Sequence, residues 1–129
     1  MLHLIVIPIL LSVVRLDVSS SIPEWSLKGD KFFSITRTSE ELSIVCSEDL
    51  VPKDLPKNAK VENGWSCLKI AGPLDFSLIG TLASLATPLA NAKISIFVMS
   101  TYDTDYILVK KENLEKALQI LGTFCEISN

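Results

Sequence analysis

Three features of the 129-residue sequence predict an α+β fold with antiparallel sheets. Short β-branched runs are joined by tight polar turns, and two later segments carry apolar residues at helical spacing. The second half also orders its elements as strand, helix, strand, strand, helix, strand. At this length the chain is one domain, or two small subdomains sharing a core. Its 48% hydrophobic content and mean hydropathy of +0.38 imply an unusually complete core or an apolar face buried in an oligomer. A net charge of −3, with Lys and Glu interspersed, excludes a nucleic-acid surface, because no basic cluster could neutralise several phosphates.

The side-chain inventory argues against an enzyme. Cys46, Cys67 and Cys125 are odd in number and widely spaced, and no CxxC pair occurs. A zinc site needs about four ligands at characteristic spacing, and the single histidine is His3, so neither a metal nor a cofactor is expected. The cysteines are expected to be reduced, packed as small hydrophobes in a cytoplasmic setting. One histidine near the terminus makes Ser-His-Asp or Cys-His chemistry improbable, and no glycine-rich loop could cradle phosphate.

Taken in order, the chain opens on an apolar run at residues 4–14, followed by Ser19-Ser20-Ser21. That pattern resembles a secretory leader, but no basic residue precedes it and Arg15 follows it. It is also too short to cross a bilayer as a helix. Its β-branched residues favour a buried first strand or hairpin, with Pro8 at an edge or bend, and no membrane partner. Ser21 then suits the N-cap of a short helix, with Pro23 in its first turn, Glu24 at N3 and Gly29 ending it. Residues 32–37 and 41–46 form an expected hairpin around Thr38-Ser39-Glu40. From Ser47 to Asn63 the composition shifts to Lys, Asp, Pro and Asn, which marks a surface connection and divides the chain into halves 1–63 and 64–129.

The second half opens on a strand at residues 65–70, broken by Ala71-Gly72-Pro73-Leu74. Asp75 or Ser77 can cap the next helix, in which Leu78, Leu82, Leu85 and Leu89 form one stripe that Pro88 should kink or close. Asn113 caps a final helix with Leu114, Ala117, Leu118 and Leu121 on one face, and a last strand can follow at 124–127. Trp25 and Trp65 are expected as packing anchors. Residues 65–127 thus fill a ferredoxin-like βαββαβ unit with helices on one face of the sheet. The first half supplies a degenerate version of it, and Ser34-Ile35-Thr36 faintly echoes Met99-Ser100-Thr101.

The chemistry concentrates between the two helices. Residues 94–109 read as strand, tight turn and returning strand, with Ser100, Thr101, Tyr102, Asp103 and Asp105 in the turn. Hydroxyls, carboxylates and strand backbone in one place suit binding a small polar molecule, although turn solvation explains Asp103 and Asp105 equally well. General acid–base work by the pair lacks a nucleophile. The helix start near Phe76 and Gly80 offers free backbone N–H groups to a carboxylate, and Gly80 leaves room for close approach.

With these residues in view, the chain resembles the ACT-domain proteins, of the kind related to the CASTOR cytosolic arginine sensors and the ACT modules of aspartokinases. The resemblance rests on Phe33-Ser34-Ile35-Thr36-Arg37-Thr38, Glu41-Leu42-Ser43-Ile44-Val45-Cys46, Gly64-Trp65-Ser66-Cys67 and residues 94–109, and covers roughly residues 4–121. It implies that the first segment is the first strand of the fold. It also implies sheets paired side by side, with an amino-acid effector bound at the seam. Ser95, Ile96, Thr101, Tyr102 and Asp105 match ligand-contacting positions of the arginine sensors. Where the sensors have a glycine and, three residues on, a glutamate, this chain has Asp75 and Leu78. Either Asp75 compensates or the effector is a less basic amino acid.

The sensors carry four ACT units in one chain against two here, so a homodimer is implied. Two readings follow: an amino-acid-sensing homodimer that regulates a protein partner, or a ligand-free interaction module that kept the fold.

Overall fold

A computed structural model describes residues 2–71 and 80–129. It contains seven strands and two α-helices among those residues: β1 (Leu2–Leu16), β2 (Ser34–Arg37), β3 (Leu42–Ser47), β4 (Lys60–Ile70), α1 (Thr81–Asn91), β5 (Ile96–Ser100), β6 (Asp105–Lys110), α2 (Leu114–Leu121) and β7 (Cys125–Ser128). The fold is α+β. Two compact units form, one from Met1–Pro8 with Ser66–Asn129 and the other from Ile9–Trp65, so β1 and β4 each contribute to both.

In the unit spanning 9–65 the described strands run in the order β2-β3-β1, all antiparallel. Alternation decides which face is dry. Val14 and Leu16 of β1 stand opposite Ile44 and Leu42 of β3, and all four are buried together with Cys46. Trp25, Ile35, Val51, Leu55, Ala59 and Val61 pack against them. The expected hairpin is present, closed by Arg37↔Leu42. The Thr38 hydroxyl accepts the N–H groups of Glu40 and Glu41, both at 3.1 Å, as a turn threonine does. Its first strand is shorter than expected: pairing stops at Ser34↔Val45, which leaves Phe33 exposed.

Two local elements differ from expectation. The helix near Trp25 is a single 3-10 turn, Glu24–Leu27, preceded by Pro23, with no side-chain cap bond, so Ser21 does not cap it. The Pro23 carbonyl instead accepts the Ser26 N–H at 3.1 Å and the Ser26 hydroxyl at 2.6 Å. The polar connection is also shorter than its composition suggests, because β4 begins at Lys60. Gly64, inside that strand, has φ +79°, which glycine tolerates best. The Glu48 carboxylate accepts its N–H at 3.0 Å.

In the other unit the strand order is β1-β4-β6-β5, with β7 on β1. β1 and β7 pair in parallel, Leu2↔Cys125 through Ile5↔Ser128, joining the first strand to the last. His3 Nε2 lies 2.8 Å from Ser128 Oγ along that pair. The core gathers Leu4, Leu68, Ile70, Ile107, Val109 and Cys125 from strands with Leu85, Leu89, Ala117 and Leu121 from the helices. Both expected leucine stripes therefore face this core wherever their residues are described, while Leu78 lies outside the described residues. Pro88 sits inside α1, which ends at Asn91, one turn later. Asn113 precedes α2 at the expected position but makes no side-chain cap bond.

Candidate functional site

The β5–β6 hairpin is set by its register, Ile96↔Val109 through Ser100↔Asp105. Paired residues share a face. Ser100 and Asp105 therefore lie on the face of Val98, Ile107, Ile96 and Val109, which is the face packed by α1 and α2. Phe97, Met99, Tyr106 and Leu108 take the other. β5 ends the strand order, and among the described residues no strand pairs with its outer side.

The turn is held from within. Thr101 donates its N–H to the Thr104 carbonyl at 2.9 Å and its hydroxyl to the same oxygen at 3.1 Å. Thr104 returns its N–H to the Thr101 hydroxyl at 3.4 Å. Thr101, Tyr102 and Asp103 are exposed, Tyr102 at 82%, whereas Asp105 is half-buried. Thr104, absent from the expected site, is only 4% exposed and donates its hydroxyl to the Ile70 carbonyl at 2.5 Å. The end of β4 thereby meets the turn. A hydroxyl between two aspartates carries no sequence signal that it will turn inward.

The remaining expected residues divide. Ile96 opens β5, about 14 Å of strand away from Ser100, and Ser95 lies one residue before it. Gly80 precedes α1 with φ +83°, and a Cβ there would meet nothing within 4 Å, so backbone conformation alone demands the glycine. Its carbonyl accepts the Ser84 N–H at 2.9 Å. Asn91 is five residues before Ile96, so the C-terminal end of α1 is tied to the Ser95 end of the hairpin. Gly80 begins the helix about 16 Å earlier along its axis. Asp75, Phe76 and Ser77 lie outside the described residues.

Among the described residues no group of three or more His, Cys, Asp or Glu could hold a metal ion. The three cysteines are free and buried. Burial pushes the Cys46 thiol up to about 11 and the Cys67 thiol up to about 12, and it raises Cys125 as well. Iodoacetamide at about pH 8 should accordingly leave all three unmodified in the folded protein and label all three in strong denaturant, as read by intact mass. The raised values also set a sign. Unfolded thiols ionise first, so this contribution to stability is complete below about pH 9 and is lost as the pH rises towards the folded values.

These elements define a βαββαβ domain whose polar residues cluster at one end of an edge hairpin, beside a strand terminus. The relatives agree with that class. An ACT-domain family model matches residues 60–123, and a second model, of an N-terminal domain, matches residues 11–54. Human cytosolic arginine sensor for mTORC1 subunit 1 is 31% identical over 109 residues, which are 81% of this chain and 32% of the sensor. The chain thus spans about a third of the length of the sensors it matches. A crystal structure of an Agobacterium tumefaciens protein is 38% identical, covering 99% of this chain and 93% of that one, with a TM-score of 0.87. The ligand-free regulatory subunit of aspartate kinase from Thermus thermophilus shares the fold at 10% identity, with a TM-score of 0.63 over 93% of this chain and 95% of that one.

The chain belongs to the ACT-domain family. It is related in sequence to an arginine sensor, and it shares its fold with the regulatory subunit of aspartate kinase. No helix among the described residues is long and apolar enough to cross a membrane.

Proposed function

We propose that this protein is an amino-acid-binding regulatory module. It acts as a cytoplasmic homodimer, with the effector held where the ACT unit of one protomer meets that of its partner and with occupancy read by a regulated protein. One observation carries this reading. The strand that ends the sheet, β5, places Ser100 opposite Asp105 on the helix-bearing face, beside an exposed turn bearing Thr101, Tyr102 and Asp103. An edge strand offers backbone groups to a second chain or to a ligand. The Asp105 carboxylate and neighbouring hydroxyls offer acceptors to an ammonium. The family relationship supports the choice of an amino acid as ligand.

A second reading, a ligand-free ACT module that only binds protein, is favoured by a different observation. Ser95 and Ile96 are separated from the turn by the length of β5, so one small ligand cannot touch both ends within a single protomer. In a dimer the partner's edge strand could bring its own end alongside.

Amide spectra recorded during titration with each of the twenty L-amino acids separate the readings. The first expects shifts concentrated at residues 80 and 95–105, together with a dimer in sedimentation velocity. Shifts confined to residues 9–65 would overturn it.

A further inference from the structure

The contact between the turn and β4 is more than a loop resting on a strand. The oxygen that accepts the Thr104 hydroxyl belongs to the Ile70 carbonyl, and the next N–H, that of Ala71, belongs to the same peptide group. That N–H donates to the His3 carbonyl at 2.8 Å. One peptide at the very end of β4 is therefore gripped from both sides, by β1 through its N–H and by the turn through its oxygen. Beyond it the chain leads to Gly80 and α1. A peptide that donates and accepts at once is polarised, and each bond strengthens the other.

We propose that Thr104 is the positioning residue of the site, setting where the 100–105 turn sits on the end of β4 and thereby the affinity of whatever binds there. This rests on the amino-acid-binding reading above for the ligand, but the positioning itself is independent of it. Three details single out Thr104. Its backbone is tied to Thr101 by three hydrogen bonds, so fixing Thr104 fixes the exposed residues of the turn. Its hydroxyl makes the described side-chain bond from the turn to another strand, across 34 positions of sequence. Its β-branch restricts χ1, which aims the hydroxyl more firmly than a serine would.

The position of Thr104 also explains why Asp105 faces the helices. In a strand, neighbours point to opposite faces. With Thr104 anchored to the Ile70 carbonyl, Asp105 opens β6 in register with Ser100, on the face of Ile107 and Val109. A turn released from β4 would keep its internal Thr101 bonds but lose its placement relative to the start of α1.

The test compares Thr104→Val, which keeps the shape and removes the donor, with Thr104→Ser, which keeps the donor and loses a methyl. Thr104→Ala, which leaves room for water at the carbonyl, replaces the valine variant if that fails to fold. Hydrogen exchange of the Thr101 and Ala71 amides is read as a ratio to that of the buried Leu121 amide, so that overall destabilisation cancels. Affinity is read by calorimetry for whichever of the twenty L-amino acids perturbs the turn.

Thr104→Val is expected to raise the exchange ratio about tenfold and to weaken that amino acid about tenfold. Thr104→Ser should stay within about threefold of wild type in both. A merely structural residue would shift all amides together and give no rescue by serine. Equal ratios in Thr104→Val and wild type would overturn the inference. If none of the twenty amino acids binds, the proposed function fails while the exchange ratio still decides whether Thr104 places the turn.

Discussion

Replacing Leu4 by alanine is expected to lower the free energy of unfolding by about 2–5 kcal/mol, the range found for leucines excised from packed cores. Leu4 is fully buried and belongs to the same cluster as Leu68, Ile70, Leu85 and Leu121. It also pairs across the parallel ladder with Ile127, so it holds the first strand to the last. A domain of this size has roughly 5–15 kcal/mol in all, and the loss would be a large fraction of it. Urea titration should show a lower midpoint with an unchanged slope. The exposed Ile22 provides the control, because its truncation should change stability by about 0.5 kcal/mol or less. A Leu4→Ala protein as stable as the Ile22 variant would remove the first strand from the core.

Asp105→Ala should weaken effector binding at least tenfold with little effect on folding. A hydrogen bond to a charged partner contributes roughly 1.5–3 kcal/mol, equivalent to about ten- to 150-fold in affinity. Asp105 is half-buried at the start of β6, opposite Ser100 and on the helix-bearing face, where a ligand ammonium would be partly shielded from water. Asp103 is exposed at the tip of the turn, so its charge is well screened and its removal should cost about threefold or less. Calorimetric titration of both variants with the same amino acid checks the order. Equal losses would mean that the turn attracts the ligand through net charge alone, and an unchanged Asp105→Ala protein would displace the site.

Much of the fold was legible because it is written locally. The β2–β3 turn is announced by Thr38-Ser39-Glu40 between apolar runs, and Leu85 and Leu89 mark a helix face by spacing. The β5–β6 hairpin was legible for the same reason. What escaped depends on partners far away in sequence. Nothing near Leu2 indicates that its neighbour will be Cys125, so the parallel β1–β7 pair was invisible. The polar composition before Asn63 reads as loop, yet the chain there is already strand, with the Glu48 carboxylate bound to the Gly64 N–H inside it.

Ser21 misled because its capping pattern is right while the segment is too short for an α-helix. At the site, resemblance grouped Ser95 and Ile96 with Thr101, Tyr102 and Asp105, and the length of β5 parts them. Thr104 was hidden because its partner is a backbone carbonyl, which no side-chain pattern reveals.

Thermal unfolding of the purified protein against each of the twenty amino acids decides whether it binds one of them. A ligand at about 100 times its dissociation constant adds roughly 2.7 kcal/mol, a rise in Tm of several degrees for a chain of this length. An amino-acid-binding module should show such a rise with one amino acid, or one chemical class, and lose it in Asp105→Ala. A flat panel would contradict the sensor and leave an ACT fold that serves protein interaction alone.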